Sequence, residues 1–260
     1  ISLHRLAFRD LDETDVHANA IGLSSDAKVG LSGCLLGRNA VQWHLVFAED
    51  HSLLHAVDSE FFENVADEGG VVANLEDEAR SVFWKCAFTD NEGTALTGFL
   101  IDKNGIVYGE DCSEIRVRNS TFARNRIPGF GSGVASFGLA SIRVEFSTFR
   151  ENVAGIGGAI GRTIAANFDV LDCAFCSNRA ENIGENEDIY LSLSGGPVPV
   201  DSVGNWTTEI NQGFVAGQSQ QGVDLRLSPH ANYGGAVRSS PPYAASPMWN
   251  KGRPDARRAL

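Results

Sequence analysis

Six stretches of this chain can be laid one under another: CLLGRNAV (34–41), SEFFENVA (59–66), CAFTDNEG (86–93), STFARNRI (120–127), STFRENVA (147–154) and CAFCSNRA (173–180). Each reads small residue, x, Phe, x, x, Asn, with Leu36 in place of Phe in the first. The asparagines Asn39, Asn64, Asn91, Asn125, Asn152 and Asn178 fall 25, 27, 34, 27 and 26 residues apart. A unit of that length cannot bury its own apolar side chains, so it becomes stable only when neighbouring units stack.

Upstream of each small residue, positions minus five and minus three are mostly apolar: Val29/Leu31, Leu54/Ala56, Ser81/Phe83, Ile115/Val117, Ile142/Val144 and Phe168/Val170. Alternation with period two marks a strand. The parity changes before the small residue, so the chain must bend there into a second short strand carrying the Phe, then turn at Asn. Stacked units bring strands about 4.8 Å apart, with like residues in columns. The expected fold is all-β: a right-handed parallel β-helix (solenoid) of about seven coils with an irregular C-terminal extension. Phe61, Phe88, Phe122, Phe149 and Phe175 are expected to pile up inside. Each Asn is expected to take the left-handed turn conformation and its amide to hydrogen-bond the next coil's turn, forming a structural ladder.

The same columns bear on the Cys173-x-x-Cys176 motif, which in isolation suggests a metal or redox site. Cys173 shares its column with Cys34, Ser59, Cys86, Ser120 and Ser147, so it reads as a packed thiol behaving as a small hydrophobe. Cys34 and Cys86 stand two coils apart, roughly 9 to 10 Å, too far to bridge. Cys176 points the other way and Cys112 lies in a loop, which leaves those two paired or free.

The Phe-x-x-Asn units are interleaved with GGAI (157–160), GGAV (234–237) and a looser GGVV (69–72), and ENEDIYLSL (185–193) follows the last unit. Together these resemble the repeats of the chlamydial polymorphic outer-membrane proteins and related right-handed β-helix proteins, over residues 29 to 195. The resemblance implies a β-helix and, in that family, a surface-exposed adhesive passenger. The family's C-terminal outer-membrane barrel has no counterpart here.

The chain divides into a β-helix over 1–195, with 1–28 a degenerate first coil, a degenerate coil or cap over 196–227, and a Pro/Ser-rich tail or docking arm over 228–260. The unit containing 101–114 is about eight residues longer than the others and is expected to form a protruding corner loop. Tyr243, Met248 and Trp249 make the tail a candidate cover for an open coil end; it closes with Lys251, Arg253, Arg257 and Arg258. If Ile1 already begins a coil, its open edge implies a neighbouring subunit or an upstream region.

A net charge of -12 argues against nucleic acid and anionic membranes as partners, and no apolar run is long enough for a transmembrane segment. On the outward face of the first strands stand Trp84, Arg116, Arg118 and Arg143, a candidate saccharide-binding patch, with Arg143, Glu145 and Asp169 as the weaker catalytic alternative of a polysaccharide-cleaving enzyme. Arg143 beside Asp169 and Arg118 beside Glu145 read equally as neighbouring-coil ion pairs that solvate the face. His51 and His55 have the spacing of a helical metal pair, but His55 falls in a strand, so no metal and no cofactor is expected. The acidic run EDEA (76–79) reads as solvent-facing. Asn119 and Asn205 begin glycosylation sequons, relevant to a chain secreted by a eukaryote. The reading is a non-enzymatic structural or adhesive module with protein subunits, and in the alternative glycans, as partners. The expected setting is extracellular, cell-surface or an organelle lumen.

Overall fold

A computed structural model describes residues 1–13, 19–66, 70–93, 105–162, 167–181, 188–191, 200–201, 204–208 and 219–248. Among these there is no helix. All strand pairings are parallel, and they form four sheets of eight, eight, seven and seven strands. Each sheet takes every fourth strand in chain order, which is a right-handed parallel β-solenoid. The described residues run through seven four-strand coils and into an eighth.

The coil containing Phe88 illustrates the plan. Arg80–Trp84 lies in the first sheet, Ala87–Thr89 in the second, Glu92–Gly93 in the third and Gly105–Gly109 in the fourth. The third and fourth sheets are what the repeat left undefined. Their strands are short or irregular, with register shifts such as the one between Ile127 and Phe130, so their sequences carry little alternation.

Register puts Phe61 on Phe88, Phe88 on Phe122, Phe122 on Phe149 and Phe149 on Phe175. The rings stack face to face with centroids 4.9, 4.3, 4.9 and 5.1 Å apart. All five are fully buried, and Leu36 continues the column. Such a column fills the interior with no gap between coils, where a lost ring costs about 3–5 kcal/mol.

Beside it runs the ladder. The Nδ2 of Asn125 donates to Phe88 O at 3.0 Å and to Asn152 Oδ1 at 2.9 Å, while its Oδ1 accepts from the backbone N and Nδ2 of Asn91 at 3.1 and 3.0 Å. The pattern runs from Asn39 through Asn64, Asn91, Asn125 and Asn152 to Asn178. Leu11 N donates to Asn39 Oδ1 at one end, and Asn178 Nδ2 donates to the buried carboxylate of Asp188 at the other. The side-chain amides thereby satisfy backbone groups at a corner too tight for strand pairing.

The asparagines themselves do not take the left-handed conformation expected of them. It belongs to the residue before each: Arg38, Glu63, Asp90, Arg124, Glu151 and Ser177, with φ between 52° and 56°. The Asn must keep ordinary backbone geometry to aim its amide along the stack, so its neighbour makes the bend. The N–H of the bending residue reaches the next coil, as from Glu63 to Thr89 O and Asp90 to Ala123 O. The corner before the small column is built alike, with positive φ at Gly33, Asp58, Lys85, Asn119, Phe146 and Asp172.

A third corner joins the fourth sheet to the first through four residues: SSDA (24–27), EDHS (49–52), EDEA (76–79), EDCS (110–113) and FGLA (137–140). Its second residue again has positive φ: Ser25, Asp50, Asp77, Asp111 and Gly138. EDEA is therefore one rung of a repeated turn. Residues 105–114 are likewise regular, a buried strand followed by this turn, and form no protruding loop. The extra length of that unit falls within 94–104, outside the described residues.

The described C-terminal residues lie along the side of the solenoid. Gln220 bridges Trp206 in the eighth coil, after which the chain runs back as an irregular antiparallel hairpin, with Leu227 opposite Pro242 and Ala231 opposite Ser239. This strap crosses the outward face of the second sheet. Arg150 donates to Ser228 O, Arg238 N donates to Glu60 Oε1 at 2.7 Å, and an Arg238 guanidinium nitrogen donates to Thr89 Oγ1 at 2.9 Å. The outward residues Ala87, Thr89, Thr121 and Ala123 are buried. Trp249, Lys251, Arg253, Arg257 and Arg258 lie outside the described residues.

Candidate functional site

The outward face of the first sheet is built from two columns. One runs Gly30, His55, Val82, Arg116, Arg143, Asp169 and Asp201. The other runs Ser32, Val57, Trp84, Arg118, Glu145 and Leu171. Trp84 therefore adjoins Arg118, and Arg116 adjoins Arg143, so the four candidate binding residues share one patch.

Their charges are largely spoken for. Arg116 Nε donates to Glu114 Oε1 at 2.5 Å. Arg143 lies 2.9 Å from Glu145 Oε1 and 3.5 Å from Asp169 Oδ2. The Arg118 guanidinium lies 5.4 Å from the centre of the Phe146 ring, and Lys85 Nζ stands 4.6 Å from the centre of the half-buried Trp84 ring. Glu145 and Asp169 are brought together, but around one shared guanidinium. That arrangement neutralises a surface; a hydrolytic pair needs open space between its carboxylates for the scissile bond.

The sequence-derived candidates elsewhere are scattered. His51 lies in a turn, 3.4 Å from Glu78, while His55 stands exposed on the first sheet. Among the described residues no group of three or more His, Cys, Asp or Glu could hold a metal ion. The five cysteines are free: Cys34, Cys86 and Cys173 buried, Cys176 half-buried, Cys112 exposed. Burial pushes the Cys86 and Cys173 thiols up to about 12. Asn119 is exposed at a left-handed corner. Asn205 is fully buried, its Oδ1 accepting from Cys173 N at 2.9 Å and its Nδ2 donating to Val170 O at 2.7 Å. It occupies the small-residue column one coil beyond Cys173, so the folded chain has no room for a glycan there.

A polar group that the repeat did not reveal sits on the outward face of the fourth sheet. Asn74 and Tyr108 are register partners, with Asn74 Nδ2 3.2 Å from His44 Nε2 and 3.1 Å from Glu76 Oε1, and Tyr108 Oη 3.4 Å from Glu110 Oε2. His44, Asn74 and Tyr108 are buried, and burial together with Glu110 holds the Tyr108 hydroxyl firmly protonated. The signal that could have found this group is the recurrent Glu-Asp turn, since Glu76 and Glu110 occupy its first position.

Two surface depressions flank the first sheet. One, of about 350 Å³, is lined by His4, Arg5, Ser32, Gly33, Asp58 and Ala236; the other, of about 250 Å³, by Lys28, His51, Leu53, Glu78 and Arg80. Among the described residues no helix is long and apolar enough to cross a membrane. No family model, curated protein or solved structure matches this chain.

Proposed function

We propose that this chain is a structural or adhesive β-helix module, working as a segment or subunit of a larger assembly at a cell surface, outside the cell or in an organelle lumen. The observation that carries this reading is the commitment of its distinctive residues to stacking. The ladder amides are used on one another and on the backbone, and the outward guanidiniums Arg116 and Arg143 are held by carboxylates of their own sheet. The resemblance to the polymorphic outer-membrane protein repeats supports the same reading.

The contact surface is the outer row formed by Ser2–His4, Ala7–Arg9, Asp12–Glu13 and Ile21–Leu23, each the outermost strand of its sheet. Ile1 and Leu6 there are 85% and 42% exposed. An unpaired strand edge is a template for another coil of a longer chain or of another subunit. A photocrosslinker at Leu6, in the protein as its native source produces it, should give one dominant adduct. A folded chain that yields none would overturn the reading.

A second reading, binding of acidic saccharides, rests on the half-buried Trp84 indole beside Arg118, with Arg116 and Arg143 exposed nearby. Stacking on a sugar ring would then make Trp84→Ala lose retention on an acidic glycan. Equal behaviour of both proteins across a glycan panel removes this option.

A further inference from the structure

We infer that the strap formed by residues 219–248 is an acid-released cover: docked on the second sheet at neutral pH, it leaves under mild acid and bares the face around Ala87, Thr89, Thr121 and Ala123.

The strap is anchored at its start, where Gln220 and Val223 bond Asn205 and Thr207 at the last strand of the second sheet and Leu225 is buried; beyond that it is held to the sheet by a few polar contacts without strand pairing. Its far arm is pinned by Arg238, which bonds Glu60 and Thr89 and lies 5.4 Å from the centre of the Phe62 ring. Its near arm is pinned where Arg150 holds Ser228 O. Between the pins sits His230, part-buried, with Nδ1 3.4 Å from Ser240 Oγ of the opposite arm and Nε2 enclosed without a hydrogen-bond partner.

The charged groups that act on His230 are Arg124 and Asp90 from two successive corners of the second sheet, Arg150 from its strand Thr148–Arg150, and Arg238 from the strap. Each guanidinium already has a carboxylate. Arg124 is paired with Asp90 at 2.6 Å, Arg150 with Glu151 at 2.6 Å and Arg238 with Glu60 at 3.4 Å. Three guanidiniums and one carboxylate, Asp90, act on His230, so the imidazole fits the cluster only while neutral. A proton on it would add an uncompensated charge in a part-buried place, with no acceptor for an N–H at Nε2.

The direction follows from linkage. Burial first, then the nearby guanidiniums, hold His230 down to about 4 in the docked strap, against about 6.5 for a free imidazole. Protons therefore bind the released strap more tightly, and docking weakens as pH falls from about 6.5 towards 4. With allowance for solvent screening at a partly exposed site, acidification from pH 7.5 to 5 should favour release by about tenfold.

Hydrogen exchange on the full chain tests this, with rates corrected for the intrinsic effect of pH. Amides of Ser228, Ala231, Arg238 and Ser239 should lose about tenfold in protection at pH 5 relative to 7.5. Those of Asn91 and Asn125 in the ladder should hold, showing that the solenoid stays folded. His230→Gln, which cannot titrate, should keep the strap protected at both values, and His230→Lys should leave it unprotected at both. His4→Gln, near the strap's tip at Ala236, should retain the natural response. Equal strap protection at both pH values in the natural chain, or the same loss in His230→Gln, overturns the inference.

Discussion

Phe88 and Phe122 lie with ring planes inclined by 4° and centroids 4.3 Å apart, the closest contact of the interior pile, although 34 residues separate them. That is the longest interval of the repeat. A coil that gains residues between its third and fourth sheets still returns to the same register, because the ladder and the pile fix each coil before and after the insertion. The extra length of this coil is thus absorbed without moving the Phe pile or the ladder.

Phe122→Ala should cost about 3–5 kcal/mol, since it opens a cavity between two rings that cannot close without shortening the coil spacing. Phe122→Leu should cost less than the alanine, since it leaves a smaller cavity and Leu36 already serves this column in the second coil. Urea unfolding of the two variants reads the difference; equal losses would mean that the pile is not a packed core.

Asn125→Ala removes the acceptor of two Asn91 groups and the donor to Phe88 O and Asn152 Oδ1, all buried. With buried unpaired groups costing about 1–3 kcal/mol each, a loss of roughly 3–5 kcal/mol is expected. Asn39→Ala, nearer the end of the ladder, should cost less. Midpoints of thermal unfolding give the order.

The bend before the ladder belongs to residues such as Glu63, exposed at φ 52°. Glycine adopts that conformation without steric strain, which offsets the entropy it adds to the unfolded chain, so Glu63→Gly should be close to neutral. Glu63→Val should destabilise, as a β-branched side chain is poorly tolerated there. A stabilising Glu63→Val would contradict the corner geometry.

Thiol labelling of the native chain should proceed quickly at exposed Cys112 and slowly at half-buried Cys176, with Cys34, Cys86 and Cys173 reacting after denaturation. Cys86 and Cys173 are held up to about 12 by burial, above the value near 8.5 of an unfolded thiol. Folding therefore favours their protonated form. The stability this contributes is full below about pH 8.5 and is lost as pH rises towards 12. Replacing both by serine, the residue their column alternates with, should flatten alkaline unfolding across that interval.

The fold class was legible because a solenoid repeats one environment many times. The spacing of about 26 residues, the alternation in the first sheet and the recurrent Phe and Asn each report a position that meets its own kind above and below. The candidate patch could be placed on a face by parity alone. Which carboxylate holds which guanidinium could not, since Arg116 turns to Glu114 within its own strand while Arg143 also reaches Asp169 in the next. The backbone strain before each Asn was hidden as well, because Arg, Glu, Asp and Ser all fill that position and no side-chain pattern marks it. Least legible was the strap. Arg238 and Glu60 lie 178 residues apart and meet once, and a contact made once leaves no period in a sequence. Repetition wrote the rod into the chain, whereas single long-range encounters, which depend on where the tail lands after the coils have stacked, were settled in three dimensions.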